Sequence, residues 1–407
     1  MKLLAGLLLG LTAAAATAET MKLTYPQTRK IDLVETQFGE KVADPYRWLE
    51  NDVRTDKDVA DWVARENTVT QGYLDTLGQR AWFGQRIKAL MDYERFGLPQ
   101  KAGKYYFYTR NSGLQNQAQL FVRAGLSGTP RLLIDPNGWA KDGATALDDW
   151  EPSKSGKFLA YSVQDGGTDW RIIRMLDTRT GKVTTDEIKW AKFTGIAWIG
   201  DKGFLYSRFP APKEGQAFQQ LNKNQEVRFH RVGTPQSADE LVYATPERPD
   251  LGHGAEVTHD GRWLIITSAQ GTDAKNEVHV LALDKRGKWG GAQNLIVGLE
   301  NDWRLIEGIG DTLYFMTNQG APRLRVVRIN LALPKRINIG TFADPSEEAI
   351  ARTIADLRAP QEVVPERPET LERARIVGNR LILSYLKDAV STAEAVTLDG
   401  KPVRHIE

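Results

Sequence analysis

A strand-and-turn unit that recurs about every 50 residues is the feature that most constrains how this chain can fold. Residues 153–182 form the clearest copy: a polar turn, an apolar strand, a Gly-Gly reversal, a second strand and a Thr-Gly-Lys turn. Residues 258–288 repeat this order, and the opening turn and first strand recur at four other places. The turn residues that anchor the six copies are Gly103, Gly156, Gly203, Gly261, Asp311 and Asn379.

The separations between these anchors are 53, 47, 58, 50 and 68 residues. A period near 50 residues that is built from short strands is the signature of a β-propeller, in which each copy forms one four-stranded sheet, or blade. A β-sandwich also contains short strands, but it does not need one motif repeated six times. The repeat therefore predicts a mainly β chain folded as a β-propeller.

Six blades are predicted from the positions of the copies. They cover residues 98–147, 148–190, 191–247, 248–298, 299–347 and 366–407. A polar insertion at residues 213–224 in the third blade is predicted to be an exposed loop. Between the last two blades, residues 346–358 are predicted to form a short helix that Ser346 caps and that prolines end.

The first 18 residues are typical of an export signal. Lys2 supplies the positive end, residues 3–16 form an apolar run shorter than a membrane span, and Ala-Thr-Ala at 16–18 fits a cleavage site. The alternative is a membrane anchor that is retained. We expect cleavage, a mature chain that begins near Glu19, a periplasmic or secreted location, and no membrane partner after cleavage.

Two helices are predicted between the signal and the blades. Thr55 can cap the first helix, with Asp56 in its first turn. The second helix covers residues 79–91 and is predicted to direct three apolar side chains inward, which are Trp82, Ile87 and Leu90. A blade needs no such helices, so the pair is expected to cover another surface, on the propeller or beyond it. The predicted domains are thus a signal peptide (1–18), an N-terminal extended and helical segment (19–97) and an incomplete β-propeller (98–407).

Charge and composition exclude several classes of function. The net charge of +2 comes from 54 basic and 52 acidic residues that are mixed along the chain. A nucleic-acid surface needs a concentrated basic patch, so no nucleic-acid partner is expected. The absence of cysteine excludes disulfides, thiolate chemistry and cysteine-based zinc sites.

The residues alone do not identify a reaction. A serine hydrolase of the usual type carries its nucleophile in a G-x-S-x-G string, and this sequence has none. The five histidines, none of which shows a metal-binding spacing, are predicted to be structural or exposed; they are His230, His253, His259, His279 and His405. The glycine pairs do not join a strand to a helix as a phosphate loop does. We therefore expect no metal ion and no cofactor in this chain.

Several strings in a fixed order nevertheless resemble the N-terminal part of the prolyl oligopeptidase family of serine peptidases, which cut short peptides after proline. The resemblance covers residues 25–407. Its most specific marks are Asp-Pro-Tyr-Arg-Trp-Leu-Glu at 44–50, Asn-Ser-Gly-Leu-Gln-Asn-Gln at 111–117, Gly-Thr-Asp-Trp at 167–170, Lys-Phe at 192–193 and Gly-Ala-Glu at 254–256.

The resemblance implies a seven-bladed propeller set over an α/β-hydrolase domain, of which this chain contains about six blades. In the family, the N-terminal helices lie against the hydrolase domain, and the propeller keeps large folded substrates from the active site. The catalytic Ser, Asp and His belong to the hydrolase domain, so no position of this chain matches them. The implied partners are short proline-containing peptides and an α/β-hydrolase domain, and the chain alone is expected to be inactive.

Two substrate-binding residues follow from the resemblance. Phe193 matches an aromatic residue that lines the hydrophobic subsite for a substrate residue upstream of proline, and Thr272 falls where some members have a cysteine near the active site. The alternatives are an inter-blade core residue for Phe193 and a plain hairpin-turn residue for Thr272.

Two functions remain open at this point. The chain is either the propeller part of a prolyl oligopeptidase-type endopeptidase, or a catalytically inactive propeller that acts as a binding module or as one half of a split enzyme. A G-x-S-x-G string in frame after residue 407 favours the first. A stable, folded, secreted product that ends there favours the second.

Overall fold

The structure is a computed structural model that describes residues 23–332 and 358–406. The chain forms two units: Met1–Met91 together with Lys213–Gln220, and Asp92–Pro212 together with Leu221–Glu407. No helix within the described ranges is both long enough and apolar enough to cross a bilayer. The predicted signal peptide and, apart from Arg358, the predicted helix over 346–358 lie outside the described residues.

The first unit contains a hairpin and two helices. Strands β1 (Val34–Gln37) and β2 (Glu40–Ala43) pair antiparallel, a 3-10 helix covers Arg47–Glu50, and α1 (Lys57–Asp75) and α2 (Arg80–Met91) follow. The predicted cap of the first helix was wrong by one residue. Asp56, not Thr55, is the N-cap, because its carboxylate accepts hydrogen bonds from the backbone N–H groups of Asp58 and Val59.

Helix α2 has no buried residue. Trp82, Ile87 and Leu90, which the periodicity directs inward, are all exposed, and Trp82 retains 62% of its accessible surface. The amphipathic spacing predicts that the apolar stripe of α2 packs against another surface, but it does not predict which surface.

The second unit confirms the predicted β-propeller. Its strands form six antiparallel blades in chain order, and the sheets of blades 2 and 3 are joined through Ala191 and Arg208. We call the first strand of each blade the inner strand and the last the outer strand. The strands of blade 1 are β3 (Arg95–Phe96), β4 (Gln100–Ala102), β5 (Tyr105–Asn111), β6 (Gln119–Ala124) and β7 (Arg131–Ile134). Those of blade 2 are β8 (Ala146–Pro152), β9 (Phe158–Gln164), β10 (Arg171–Asp177) and β11 (Val183–Ala191). Those of blade 3 are β12 (Ala197–Trp198), β13 (Gly203–Arg208), β14 (Glu226–Arg231) and β15 (Glu240–Ala244).

The remaining blades have the same plan. The strands of blade 4 are β16 (Leu251–Val257), β17 (Trp263–Gln270), β18 (Asn276–Ala282) and β19 (Gln293–Ile296). Those of blade 5 are β20 (Trp303–Ile309), β21 (Thr312–Thr317), β22 (Arg325–Asn330) and β23 (Gln361–Val364). Those of blade 6 are β24 (Thr370–Val377), β25 (Arg380–Lys387), β26 (Val390–Thr397) and β27 (Pro402–Ile406).

The predicted end of the fifth blade, at residue 347, was wrong. The outer strand of blade 5 is β23, which pairs with β22 through Val326 and Val364, so the segment between β22 and β23 is an insertion within one blade. Val363 and Val364 are buried, and this short apolar pair is the signal that the prolines around it obscured. The polar insertion at residues 213–224 is mostly exposed and contains no strand, as predicted.

Five apolar clusters hold the blades together, and each one joins two consecutive blades. Between blades 4 and 5, for example, Ile265 and Val280 pack with Trp303 and Phe315. The inward side chains alternate along each strand, which is why a period-two pattern in the sequence produces one apolar layer per blade interface. The clusters therefore account for the consecutive stacking of the six blades.

Hydrogen bonds between blades follow the sequence repeat. Ser155 bonds Asp201, 46 residues on, and the indole N–H groups of Trp198 and Trp263 donate to carbonyls 47 residues away. The anchor turns also approach closely. A Cβ on Gly103 would lie 2.0 Å from the carbonyl oxygen of Ser155, and Gly103 has φ +55°, so both contact and conformation require glycine there.

Candidate substrate-facing site

The connection between blades 2 and 3 presents two aromatic side chains on a strained backbone. Trp190 (φ 61°) and Phe193 (φ 51°) both have left-handed backbone conformations, which bulky residues adopt rarely. Phe193 retains 54% of its accessible surface and meets Phe209 edge to face at 6.4 Å. Backbone strain of this kind persists only where the surrounding contacts hold it, and it is concentrated at functional sites.

Lys192 lies between the rings of this segment. Its Nζ is 4.9 Å from the ring centroid of Trp170 and 5.1 Å from that of Phe193, and it is 3.7 Å from a carboxylate oxygen of Asp169. Trp170 in turn packs edge to face on Trp190 at 5.4 Å. The side chain of Lys192 is only 12% exposed, so the ammonium group is a structural centre of the cluster.

A buried carboxamide fixes the position of this segment. Gln225 donates from Nε2 to the carbonyl of Lys192 at 2.9 Å, and its Oε1 accepts from the backbone N–H of His253 at 2.6 Å. The hydroxyl of Thr194 accepts from the backbone N–H of Ser207 at 2.7 Å. Blades 3 and 4 therefore both hold the segment, and the ring of Phe193 is presented in a defined place.

Thr272 lies in the exposed turn between β17 and β18 of blade 4. Leu251 at the start of β16 pairs with Gln270 at the end of β17, so Thr272 lies close to the start of the first strand of blade 4. Phe193 likewise lies just before β12, the first strand of blade 3. The two predicted residues thus lie at the same end of their sheets, but no described contact joins them. Whether either residue binds substrate stays a prediction.

A cavity of about 840 Å³ opens at the opposite end of the sheets, among the inner strands of blades 1 to 4. Five carboxylates line it, from Asp149, Glu151, Glu256, Asp260 and Asp284, and lysines such as Lys101 and Lys154 lie among them. Burial raises the pKa of Glu151 to about 7, although a 2.6 Å hydrogen bond from Gln100 opposes the rise. Burial, with repulsion from Glu307, also raises the pKa of Glu256.

The buried histidines serve the fold. His230, fully buried, contacts Asp239 at 2.7 Å through Nδ1 and Asp186 at 2.9 Å through Nε2. His253 bonds Ser268 and Thr245, and His279 bonds Tyr243 and Asn294. Among the described residues no group of three or more metal-ligating side chains is assembled.

The described residues thus form an exposed aromatic surface at Phe193, with the mostly buried ammonium group of Lys192 between the rings. Phe193 stays a prediction from the sequence, and the sequence did not predict the residues around its segment, which are Trp170, Trp190, Lys192, Phe209 and Gln225. The signal available in the sequence was a pair of tryptophans, Trp170 just before β10 and Trp190 near the end of β11. Only the positive φ values of Trp190 and Phe193 show that residues 190–193 fold back on these rings. Rings with an adjacent ammonium can bind an apolar or aromatic side chain.

Comparisons with known proteins agree with this architecture. Residues 26–407 match the family described as prolyl oligopeptidase, N-terminal β-propeller domain. The prolyl endopeptidase of Elizabethkingia meningoseptica is 34% identical over 395 residues, which is 97% of this chain and 52% of that protein. The dual-function macrocyclase-peptidase of Amanita bisporigera is 32% identical over 343 residues, or 76% of this chain and 46% of that protein.

Solved structures show the same relation. A chain from a structural study of two prolyl endopeptidases matches with 47% identity and a TM-score of 0.68, covering 94% of this chain and 52% of that one. Prolyl oligopeptidase B of Galerina marginata, bound to a 35mer hydrolysis and macrocyclisation substrate, matches with 26% identity and a TM-score of 0.77, covering 94% and 53%. The chain thus spans about half the length of the relatives it matches.

Proposed function

The chain belongs to the prolyl oligopeptidase family, whose N-terminal β-propeller it carries, and from that premise we propose that it controls the access of short proline-containing peptides to a serine endopeptidase centre. The centre would lie in an α/β-hydrolase domain that pairs with the propeller, and cleavage would follow proline. The observation that carries the proposal is the family match over residues 26–407 of a chain that spans about half of the relatives it matches.

We place the peptide-contacting part of the propeller at the Phe193 segment. An exposed ring on a strained but firmly held backbone suits a subsite that binds a large apolar side chain upstream of proline. Burying one such side chain against Phe193 stabilises the bound peptide by about 1.5–3 kcal/mol at most. Thr272 is a weaker candidate, because its turn is exposed and makes no described contact with the segment.

The alternative function is a catalytically inactive propeller that works as a binding module or as one half of a split enzyme. The same aromatic segment would then bind a peptide without cleaving it. Nothing in the arrangement of the described residues favours this alternative over the gate.

The first experiment reads the gene past codon 407 and assays its whole product on a Gly-Pro chromogenic peptide. A G-x-S-x-G string in frame and cleavage after proline are the expected results, with residues 1–407 alone inactive because a serine peptidase needs its triad. Cleavage by residues 1–407 alone would contradict the proposal, and so would an inactive whole product.

The second experiment tests the subsite with a matched pair of variants in the whole gene product. Phe193→Ala is expected to lower kcat/KM about tenfold, or about 1.4 kcal/mol, for peptides with a large apolar residue upstream of proline. Phe38→Ala is the control, because Phe38 is also exposed and has a similar φ of 53°. Equal losses in both variants, or equal losses on peptides with glycine at that place, would remove Phe193 from the site.

Export is part of the proposal and has its own test. Expression of the gene in a bacterial host with fractionation is expected to give a periplasmic or secreted product. Its first residue, read by N-terminal sequencing, is expected near Glu19. A product that keeps Met1 would contradict signal cleavage.

A further inference from the structure

Blades 1 and 2 carry a cluster of basic side chains at one end of their sheets. Five exposed cations form this cluster, which we call the basic patch: Lys104, Arg131, Lys157, Arg179 and Lys182. Each of them lies in or beside a turn at the end where the first strand of a blade leads into the second and the third into the fourth. The cavity opens at this end, and the Phe193 segment lies at the other.

Hydrogen bonds hold the turns of the basic patch side by side. The backbone N–H of Gly125 donates to the carbonyl of Lys104 at 2.9 Å, which joins the two turns of blade 1. The guanidinium group of Arg131 donates to the carbonyl of Thr178 in blade 2. The backbone N–H of Thr178 in turn donates to the carbonyl of Lys157 at 2.9 Å. The five cations therefore belong to one continuous surface across the two blades.

The basic patch has little counter-charge. None of its cations forms an ion pair within the part of the chain that the structure describes. Two carboxylates lie nearby. Asp177 accepts from the backbone N–H of Thr180 at 2.7 Å and from its hydroxyl at 2.8 Å, and Asp201 of blade 3 accepts from Ser155. Five cations against two carboxylates produce a positive local potential at this surface.

Cations at the same end of later blades are paired instead. Arg262 of blade 4 pairs with Asp311 of blade 5 at 2.7 Å, and Arg231 pairs with Glu240 within blade 3 at 3.3 Å. Blades therefore pack on one another with their basal charges neutralised. The positive charge of the basic patch is thus a property of blades 1 and 2, and blade packing does not account for it.

Exposed aliphatic side chains lie among the cations of the basic patch. Leu126, in the turn between β6 and β7, retains 69% of its accessible surface, and Val183, next to Lys182, retains 56%. Leu132, next to Arg131, is also exposed. A site for single-stranded nucleic acid combines cations with aromatic rings on which bases stack. Aliphatic tips among lysines and arginines instead suit the surface of an anionic bilayer, where cations bind headgroups and apolar groups enter the interface.

We propose that the basic patch docks the propeller on the surface of a bilayer that contains anionic lipids. Headgroup phosphates would accept charge-assisted hydrogen bonds from the patch, and Leu126 would enter the interfacial region. The contact is peripheral, and it leaves the Phe193 end of the sheets directed away from the bilayer. It replaces the expectation, drawn from the sequence, that the chain has no membrane partner after cleavage. The inference does not depend on the peptide gate.

Co-sedimentation of the whole gene product with vesicles tests the proposal. The protein is expected to sediment with vesicles of phosphatidylglycerol and phosphatidylcholine in equal parts at about 0.05 M salt, and not with vesicles of phosphatidylcholine alone. Binding is expected to disappear at about 0.5 M salt, because the ions screen the attraction. Equal sedimentation with both kinds of vesicle, or none with either, would overturn the proposal.

Two double variants with the same net charge separate the patch from the overall charge. Arg179→Gln with Lys182→Gln is expected to lower the partition coefficient about 25-fold, because each cation near an anionic surface contributes about fivefold. The matched control is Lys141→Gln with Lys275→Gln, on two exposed lysines at the opposite end of the sheets, and it is expected to lower binding about twofold or less. Equal losses in the two variants would overturn the proposal.

A further variant separates a bilayer from a soluble polyanion. Leu126→Ser is expected to lower the partition coefficient about tenfold, because the serine no longer buries apolar surface in the interface. Leu221→Ser, on an exposed residue of the insertion in blade 3, is the control and should bind as the wild type does. If Leu126→Ser leaves vesicle binding unchanged and the protein binds a DNA duplex as tightly as the vesicles, the partner is a polyanion and the proposal is wrong.

Discussion

Blade 3 buries charged side chains, whereas helix α2 exposes apolar ones, so each reverses the usual placement of side chains in the opposite way. Blade 3 buries His230 between its own Asp239 and Asp186 of blade 2; the Tyr206 hydroxyl donates to Asp239 at 2.7 Å, and the backbone N–H of Gly233 donates to Asp186. Helix α2 instead exposes Trp82, Ile87 and Leu90. These charged groups can be buried because each of them forms a hydrogen bond with another group of the same network. The stripe of α2 has no covering surface among the described residues.

The largest expected effect comes from breaking the buried network. Asp239→Ala removes partners from both His230 and Tyr206 and leaves the imidazole beside a single carboxylate. The free energy of unfolding is expected to fall by about 3–5 kcal/mol, as measured by urea denaturation. Glu240→Ala is the control, because its exposed carboxylate makes only a 3.3 Å ion pair with Arg231, and it should cost about 0.5 kcal/mol or less. Similar losses in the two variants would refute the network's role.

The network also predicts a dependence on pH. Burial alone would lower the pKa of His230, but the hydrogen bonds to Asp239 and Asp186 outweigh it and raise the pKa. A raised pKa in the folded state means that the imidazolium stabilises the fold below the unfolded pKa. This stability is lost as pH rises through the folded value. The urea midpoint of the wild type is expected to fall above neutral pH, with a smaller fall in His230→Asn. A midpoint that rises over this range would contradict the argument.

Glu151 gives a smaller effect within the propeller cavity. Because burial raises its pKa to about 7, ionisation destabilises the folded state, and the cost appears as pH rises from the unfolded value through 7. Glu151→Gln keeps a carbonyl that accepts from Gln100 and removes the charge, so it is expected to stabilise the protein by about 1 kcal/mol at pH 8. Glu187→Gln, on an exposed carboxylate, is the control. Destabilisation by Glu151→Gln at pH 8 would refute the predicted charge cost.

The smallest effect on unfolding is expected at helix α2. Changing Trp82 and Ile87 to serine should alter the free energy of unfolding by about 0.5 kcal/mol or less, because neither side chain is buried. The same change should reduce self-association of residues 1–407, measured by light scattering, because exposed apolar stripes and free sheet faces promote association. A monodisperse wild-type monomer would contradict the expected association.

The sequence repeat made most of the propeller predictable, but it did not predict which residue each side chain contacts. Turn residues and alternating strands are local signals, so the six anchors located the blades. The outer strand of blade 5 was missed because Val363 and Val364 stand far from β22 in the sequence. At the site, Phe193 came from a resemblance. Gln225, which bonds the carbonyl of Phe193, and Trp170, which contacts the neighbouring Lys192, reach this segment only through long-range packing. The network around His230 likewise joins positions 186, 230 and 239, which no short motif connects.

The hydrogen bonds between blades join residues at a nearly fixed sequence spacing, and this spacing limits where such a chain can change in length during evolution. Bonds such as Ser155 to Asp201 and Trp263 to Gly310 connect positions 46 and 47 residues apart. A residue added within a strand would displace every later partner, whereas added residues in a connecting loop leave all partners in place. The two widest anchor separations, 58 and 68, contain the long connections at 209–225 and 331–360. Inserted or deleted codons in related genes should therefore concentrate in those two connections, with the anchor turns constant in length.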